Sequence, residues 1–123
     1  MFGDAIVHHF ADRLVAAVRR TKTPALVGID PRLANLPAPL RPSSDSPSPE
    51  QIADAFVEFS YGIIDVVAPL VPAVKPQSAF FEQIGPAGTV ALGEVIQYAR
   101  RKGLLVITAV SYTHLTLPTI LRV

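Results

Sequence analysis

Apolar positions along the chain follow two rhythms, one helical and one made of short unbroken runs. Ile6, Val7, Phe10, Leu14 and Val18 are spaced by three and four, which predicts an amphipathic helix with Asp4 as its N-cap and an end near Arg20. A second stripe, Ile52, Ala55, Phe56, Phe59, Ile63 and Val66, follows a strong helix start. There Ser48 is placed as N-cap, Pro49 at the first helical position and Gln51 for a capping box, and Pro69 stops the helix. Gly85 and Pro86 open a third helix, with Val90, Leu92, Val95, Ile96 and Ala99 inside. Arg100 to Lys102 lie at its negative end, and Gly103 is suited to the C′ position.

Between these helices lie apolar runs too short to be helical: Ala25 to Ile29, Leu70 to Val74 (broken by Pro72) and Leu104 to Ile107. Runs without alternation suit strands buried on both faces, as in parallel sheets. Ser78 to Ile84 predicts one or two helical turns, with Phe80 and Phe81 in the core. The order is therefore helix, strand, helix, strand, helix, strand. Strands alternating with helices imply parallel crossovers, hence an α/β fold that is either a doubly wound sheet or the start of a (β/α)₈ barrel. The segment from Pro31 to Ser48 has prolines at 31, 37, 39, 42 and 47 and serines at 43, 44, 46 and 48, so it is expected to be a long loop. A linker would need a domain before it, and about thirty residues are too few for one.

Composition narrows the function classes. The chain has 123 residues, half of them hydrophobic, and a formal net charge of +1, which gives no electrostatic footprint for nucleic acid. It has no cysteine, which excludes disulfides, thiolate catalysis and cysteine zinc sites. The first residues carry Asp4 in place of a basic region and show helical spacing, so no signal peptide is read. No run approaches the roughly eighteen apolar residues of a membrane span. The expectation is a soluble cytoplasmic protein with no nucleic-acid or membrane partner. His8 and His9 form no metal pair, because adjacent helical residues point about 100° apart.

The candidate chemistry lies at two strand ends. The first short run ends in Asp30 followed by Pro31, and the second ends in Lys75 followed by Pro76. A proline after a charged residue disfavours helix there and ends the strand. In parallel α/β sheets the carboxyl ends of the strands form the ligand face. Either charge alone reads as a turn cap or an ordinary ion pair. Two opposite charges, each ending a buried strand and each followed by proline, favour one shared site.

The stretches VGIDPR (residues 27–32), IIDVVAP (63–69), AVKPQSAFFE (73–82), GPAG (85–88) and YARRKGLLVI (98–107) fall in an order that closely resembles the orotidine 5′-phosphate decarboxylases, in the bacterial branch with KPQSAFFE. The resemblance covers about Phe10 to Ile107. It implies the N-terminal part of a (β/α)₈ barrel, a homodimer, and conversion of orotidine 5′-phosphate to UMP in pyrimidine synthesis with no metal and no organic cofactor. It also implies that Asp30 contacts the ribose hydroxyls and that Lys75 joins a network of lysines and aspartates around the substrate, without being the proton donor.

The family places that donor in a motif of the form DxKxxxD or DxKxxD directly after a run like LLVI. Here the chain reads Thr108, Ala109, Val110, Ser111, Tyr112, Thr113 and His114, with neither aspartate nor lysine. Residues 1–107 are thus expected to form a partial barrel and residues 108–123 a tail foreign to the family. VSYTHLTLPT (110–119) resembles the translation of a transposon adapter used in DNA library preparation. Ser111 and His114 have no acid or oxyanion motif beside them, so no nucleophile is read there. The chain by itself is expected to be inactive. The alternatives are a fragment of another phosphosugar-binding barrel enzyme, against which KPQSAFFE speaks, and a non-catalytic interaction module.

Overall fold

The computed structural model describes residues 2–108, with side chains from residue 9 onward. Three parallel strands, β1 (Leu26–Ile29), β2 (Ala73–Pro76) and β3 (Leu105–Val106), form a sheet in the order β1-β2-β3. Helix α1 (Phe2–Thr21) precedes the sheet. Helix α2 (Pro49–Val67) joins β1 to β2; the short α3 (Ser78–Glu82) and the longer α4 (Pro86–Arg101) join β2 to β3. Two 3-10 turns, at Leu33–Asn35 and Ala38–Leu40, interrupt the long loop. Neighbours in sequence are neighbours in the sheet, and both crossover helices cover the same face. That is the winding of a barrel wall.

Local chemistry explains where the helices begin and end. Ser48 Oγ accepts from the Gln51 amide at 3.1 Å, and Gln51 Oε1 accepts from the Ser48 amide at 2.8 Å, a complete capping box. At the start of α4, Gly85 has φ 88° and ψ −150°, a region open to glycine alone. Gly103 ends the same helix at φ 87°, the left-handed C′ position that its sequence predicts.

The sheet's two faces carry different loads. Ile29, Val74 and Val106, all nearly inaccessible, form the main core with Phe56 and Ile64 of α2, Val95 and Ala99 of α4, and Phe81 of α3. Phe56 and Phe81 meet edge to face with ring centroids 5.9 Å apart. On the opposite face Ala73 and Leu105 pack on Ala17 of α1, flanked by Phe10, Leu14 and Ile107. Side-chain alternation puts Lys75 on this second face too, further along β2. Helix α1 therefore packs on the face of the sheet that carries Lys75.

Several sequence expectations need correction. Helix α1 starts at Phe2, so Asp4 lies inside it and is not its N-cap. Strand β2 starts at Ala73, and Leu70, in the turn before it, is 59% exposed. On α2 and α4 the stripes are rotated: Val66 and Val90 are 67% and 63% exposed, while Ala53, Ser60, Ile64 and Ala91 are buried. These two helices pack side by side, and small residues at the seam let them approach closely, which a stripe drawn through the largest residues overlooks. Residues 109–123, which hold Ser111 and His114, lie outside the described residues, as do the side chains of Ile6, Val7 and His8.

Candidate active site

The parallel register sets Gly28 opposite Lys75 and Ile29 opposite Pro76. Asp30 follows two residues after Gly28, so alternation turns it to the face that carries Lys75. An ideal Cβ on Gly28 would lie 3.7 Å from Asp30 Oδ1, so the carboxylate stands on the face to which a Gly28 side chain would point. Adjacent strands run about 4.8 Å apart, so the two charged residues share one end and one face of the sheet. The register thus places both sequence-predicted residues at the carboxyl end of neighbouring strands. Among the described residues no ion pair joins them, and neither side chain makes a hydrogen bond.

The ladder continues past the strand. Gln77, in extended conformation at φ −86° and ψ 104°, donates its backbone N–H to the Ile29 carbonyl at 3.0 Å. Lys75 is half-buried and Asp30 exposed. Below them, α3 is held by an unusually close contact: a Cβ on Gly88 would fall 1.8 Å from the Phe81 carbonyl oxygen. Only a glycine lets α4 lie this close to α3, and that contact fixes the turn leaving Lys75.

A cavity of about 740 Å³ lies elsewhere, between the long loop, α2 and α3. Its lining includes Pro31, Arg32, Leu33, Ile52, Phe56 and Phe80 but neither Asp30 nor Lys75, so it belongs to the helical side of the sheet. The Arg32 guanidinium sits 4.7 Å from the Phe80 ring centroid, tying the start of the loop to α3. Phe81 is fully buried as predicted, whereas Phe80 is half-buried under this cation. Among the described residues no group of three His, Cys, Asp or Glu side chains is placed to hold a metal ion.

Comparison with known proteins bears on this arrangement. No family model matches the chain. A curated relative from Rhodopirellula baltica, an orotidine 5′-phosphate decarboxylase, is 56% identical over 99 residues, or 80% of this chain and 33% of the relative. The chain belongs to the orotidine 5′-phosphate decarboxylase family. It spans about a third of the length of the curated relatives it matches.

Solved structures of the decarboxylases carry the same fold. A candidate orotidine 5′-phosphate decarboxylase of Streptomyces avermitilis aligns with TM-score 0.62 at 33% identity, over 80% of this chain and 32% of that one. A Leishmania donovani UMP synthase aligns with TM-score 0.62 at 29% identity, over 84% of this chain and 19% of that one. The three-stranded sheet is thus part of a decarboxylase α/β barrel.

Sequence reasoning missed two features. One is Gln77, whose Oε1 is shielded from solvent and has no hydrogen-bond partner among the described residues. Its position two residues beyond Lys75 was the available signal. The other is a clasp joining α2 to α4: Tyr98 Oη donates to Asp65 Oδ1 at 2.6 Å, and Lys102 Nζ lies 3.5 Å from that same oxygen. Tyr61 stacks on Tyr98 with centroids 3.9 Å apart. The hydrogen bond to Asp65, followed by burial, raises the Tyr98 pKa above its ordinary 10.0. Helical spacing pairs 61 with 65 and 98 with 102, but nothing in the sequence joins one pair to the other.

Proposed function

We propose that the whole protein, of which this chain represents about a third by comparison with its relatives, decarboxylates orotidine 5′-phosphate to UMP. The observation that carries the proposal is the juxtaposition of Asp30 and Lys75 at the carboxyl end of neighbouring parallel strands. Asp30 is the ribose-hydroxyl acceptor: a carboxylate takes hydrogen bonds from hydroxyls and repels the substrate's own carboxylate and phosphate. Lys75 supplies fixed positive charge beside the base. Departure of CO₂ leaves an electron pair on a pyrimidine carbon, and a cation already in place stabilises that charge as it develops.

A proton must then replace CO₂ on the carbon. Lys75 is part of the charge network and is not assigned this step. The donor belongs to a segment after Ile107 that residues 108–123 do not supply, so residues 1–107 form the partial barrel and the chain alone is inactive. The whole enzyme is a cytoplasmic homodimer that needs no metal or organic cofactor, as the family resemblance implies. Its substrate is a small nucleotide, and neither nucleic acid nor membrane is a partner.

The test is expression of the uninterrupted gene and a spectrophotometric decarboxylase assay. Activity is expected, with Lys75→Ala lowering kcat by about 10²–10³-fold, the usual cost of losing one preorganised charge-stabilising group. A folded full-length protein without decarboxylase activity would overturn the proposal. Sequencing the source DNA through codon 110 tests the tail separately: adapter bases are expected, and an uninterrupted genomic read would contradict that origin.

A further inference from the structure

The cavity of about 740 Å³ on the helical side of the sheet takes no part in the chemistry assigned to Asp30 and Lys75, neither of which lines it. Its walls are apolar, with Leu33 from the long loop, Ile52 and Phe56 from α2, and Phe80 from α3. The loop wall is anchored. Arg41 Nε donates to the Leu36 carbonyl at 2.7 Å, and the Leu36 side chain is buried, which fixes the end of the turn at Leu33–Asn35. A formed space of this size, apolar with a few polar groups, suits a small organic molecule. Charge narrows the class. Among the described residues that line the cavity, only Arg32 is charged. Its guanidinium lies over the Phe80 ring at 4.7 Å from the centroid, and among the described residues it has neither an ion pair nor a hydrogen bond. The ring steadies the cation and leaves its N–H donors unspent. The first turn of α2 borders the same space through Pro49 and Ile52, and its amide dipoles add positive potential. Glu50, the acid of that turn, lines a separate hollow against α4.

We infer that this cavity is a second binding site, for a small organic anion whose apolar ring body packs against Ile52, Phe56 and Phe80 while its oxyanion accepts from Arg32. The planar fork of a guanidinium offers two parallel donors to such a group, which fixes the ligand's orientation as well as its charge. A cationic ligand would meet an unpaired like charge, and a metal ion would find no carboxylate among the described lining residues. Only Pro31, buried and itself part of the wall, separates Arg32 from Asp30 in the chain. The site therefore adjoins the strand ends without sharing a side chain with Asp30 or Lys75, and it stands whatever reaction those two residues serve.

The experiment titrates the full-length protein with two fluorescent probes that share one ring body: 1-anilinonaphthalene-8-sulfonate, an anion, and N-phenyl-1-naphthylamine, its uncharged counterpart. The sulfonate is expected to bind saturably, one per chain, and to stay bound in the presence of saturating UMP. Arg32→Gln is expected to weaken the sulfonate about tenfold and to leave the uncharged probe as it was, since only a charge-assisted contact has gone. Ile52→Trp, which fills the cavity, is expected to weaken both probes about tenfold or more. The contrast between the probes in Arg32→Gln decides the matter on its own, because an uncharged probe that binds as before reports an intact cavity. The inference is overturned if the full-length protein binds no sulfonate, as when a later segment or a second copy fills the space. Displacement of the sulfonate by UMP overturns it, and so does an Arg32→Gln variant that binds the sulfonate as before or loses both probes equally.

Discussion

Gly28 lies directly across the β1–β2 pair from Lys75, and a Cβ there would stand 3.7 Å from the carboxylate of Asp30. Gly28 therefore leaves an opening beside Lys75 on that face of the sheet. An alanine there would meet Asp30 Oδ1 at 3.7 Å, an ordinary contact, whereas a larger group would fill the opening.

Gly28→Ala is accordingly expected to leave stability unchanged or to raise it by about 0.5–1 kcal/mol, because glycine in a strand loses more conformational freedom on folding. Gly28→Leu is expected to keep the fold and to raise KM for the nucleotide in the full-length enzyme about tenfold or more. Urea denaturation and steady-state kinetics check the two halves. Unaltered kinetics in Gly28→Leu would mean that the opening is not where the ligand sits.

The approach of α4 to α3 gives a sharper contrast. Gly88→Ala drives a methyl group into the Phe81 carbonyl at 1.8 Å, and because the obstacle is backbone, a helix must move. A loss of about 1–3 kcal/mol is expected, as for other overpacked sites. Gly93, on the same helix, has nothing within 4 Å of its Cβ position, so Gly93→Ala is expected to stabilise by up to about 1 kcal/mol. Chemical denaturation of the two variants side by side separates close packing from helix propensity.

The clasp between α2 and α4 sets an alkaline limit. The Tyr98 pKa is raised in the folded state, first by the hydrogen bond to Asp65 and then by burial. A group that holds its proton more tightly when folded contributes stability that is complete below its unfolded pKa, here 10.0, and lost as pH rises through the higher folded value. Above that point two anions face each other across the helix seam. The melting temperature is expected to fall more steeply with rising pH in the parent than in Tyr98→Phe, and parallel curves would show that the clasp does not titrate.

The open sheet bears on how the chain behaves alone. Among the described residues, β1 and β3 are both edge strands, and Leu26 on β1 is 44% exposed. Unpaired edges beside exposed apolar side chains template association. Light scattering of the expressed 123-residue chain is expected to show aggregates; a monomer with a sharp cooperative melt would contradict this.

Much of the fold was legible because its signals are local. Ser48 with Gln51, and Gly85 and Gly103 at the ends of α4, announce helix boundaries through the chemistry of backbone groups nearby in sequence. The placement of Asp30 and Lys75 at strand ends was legible for the same reason, each ending a short apolar run before a proline. What escaped depends on contacts between distant segments. The burial of Ala53 and Ala91 in place of Val66 and Val90 is set by how two helices meet, and the orphaned oxygen of Gln77 is defined by what surrounds it in space.

The seat of α1 has a consequence for synthesis on the ribosome. Ala17, near the beginning of the chain, rests on Ala73 and on Leu105, near the far end of the described segment. A nascent polypeptide can offer this helix its complete berth only after β3 has emerged from the exit tunnel. Until then α1 lacks half of its seat, and the growing chain carries it as an unmoored amphipathic arm.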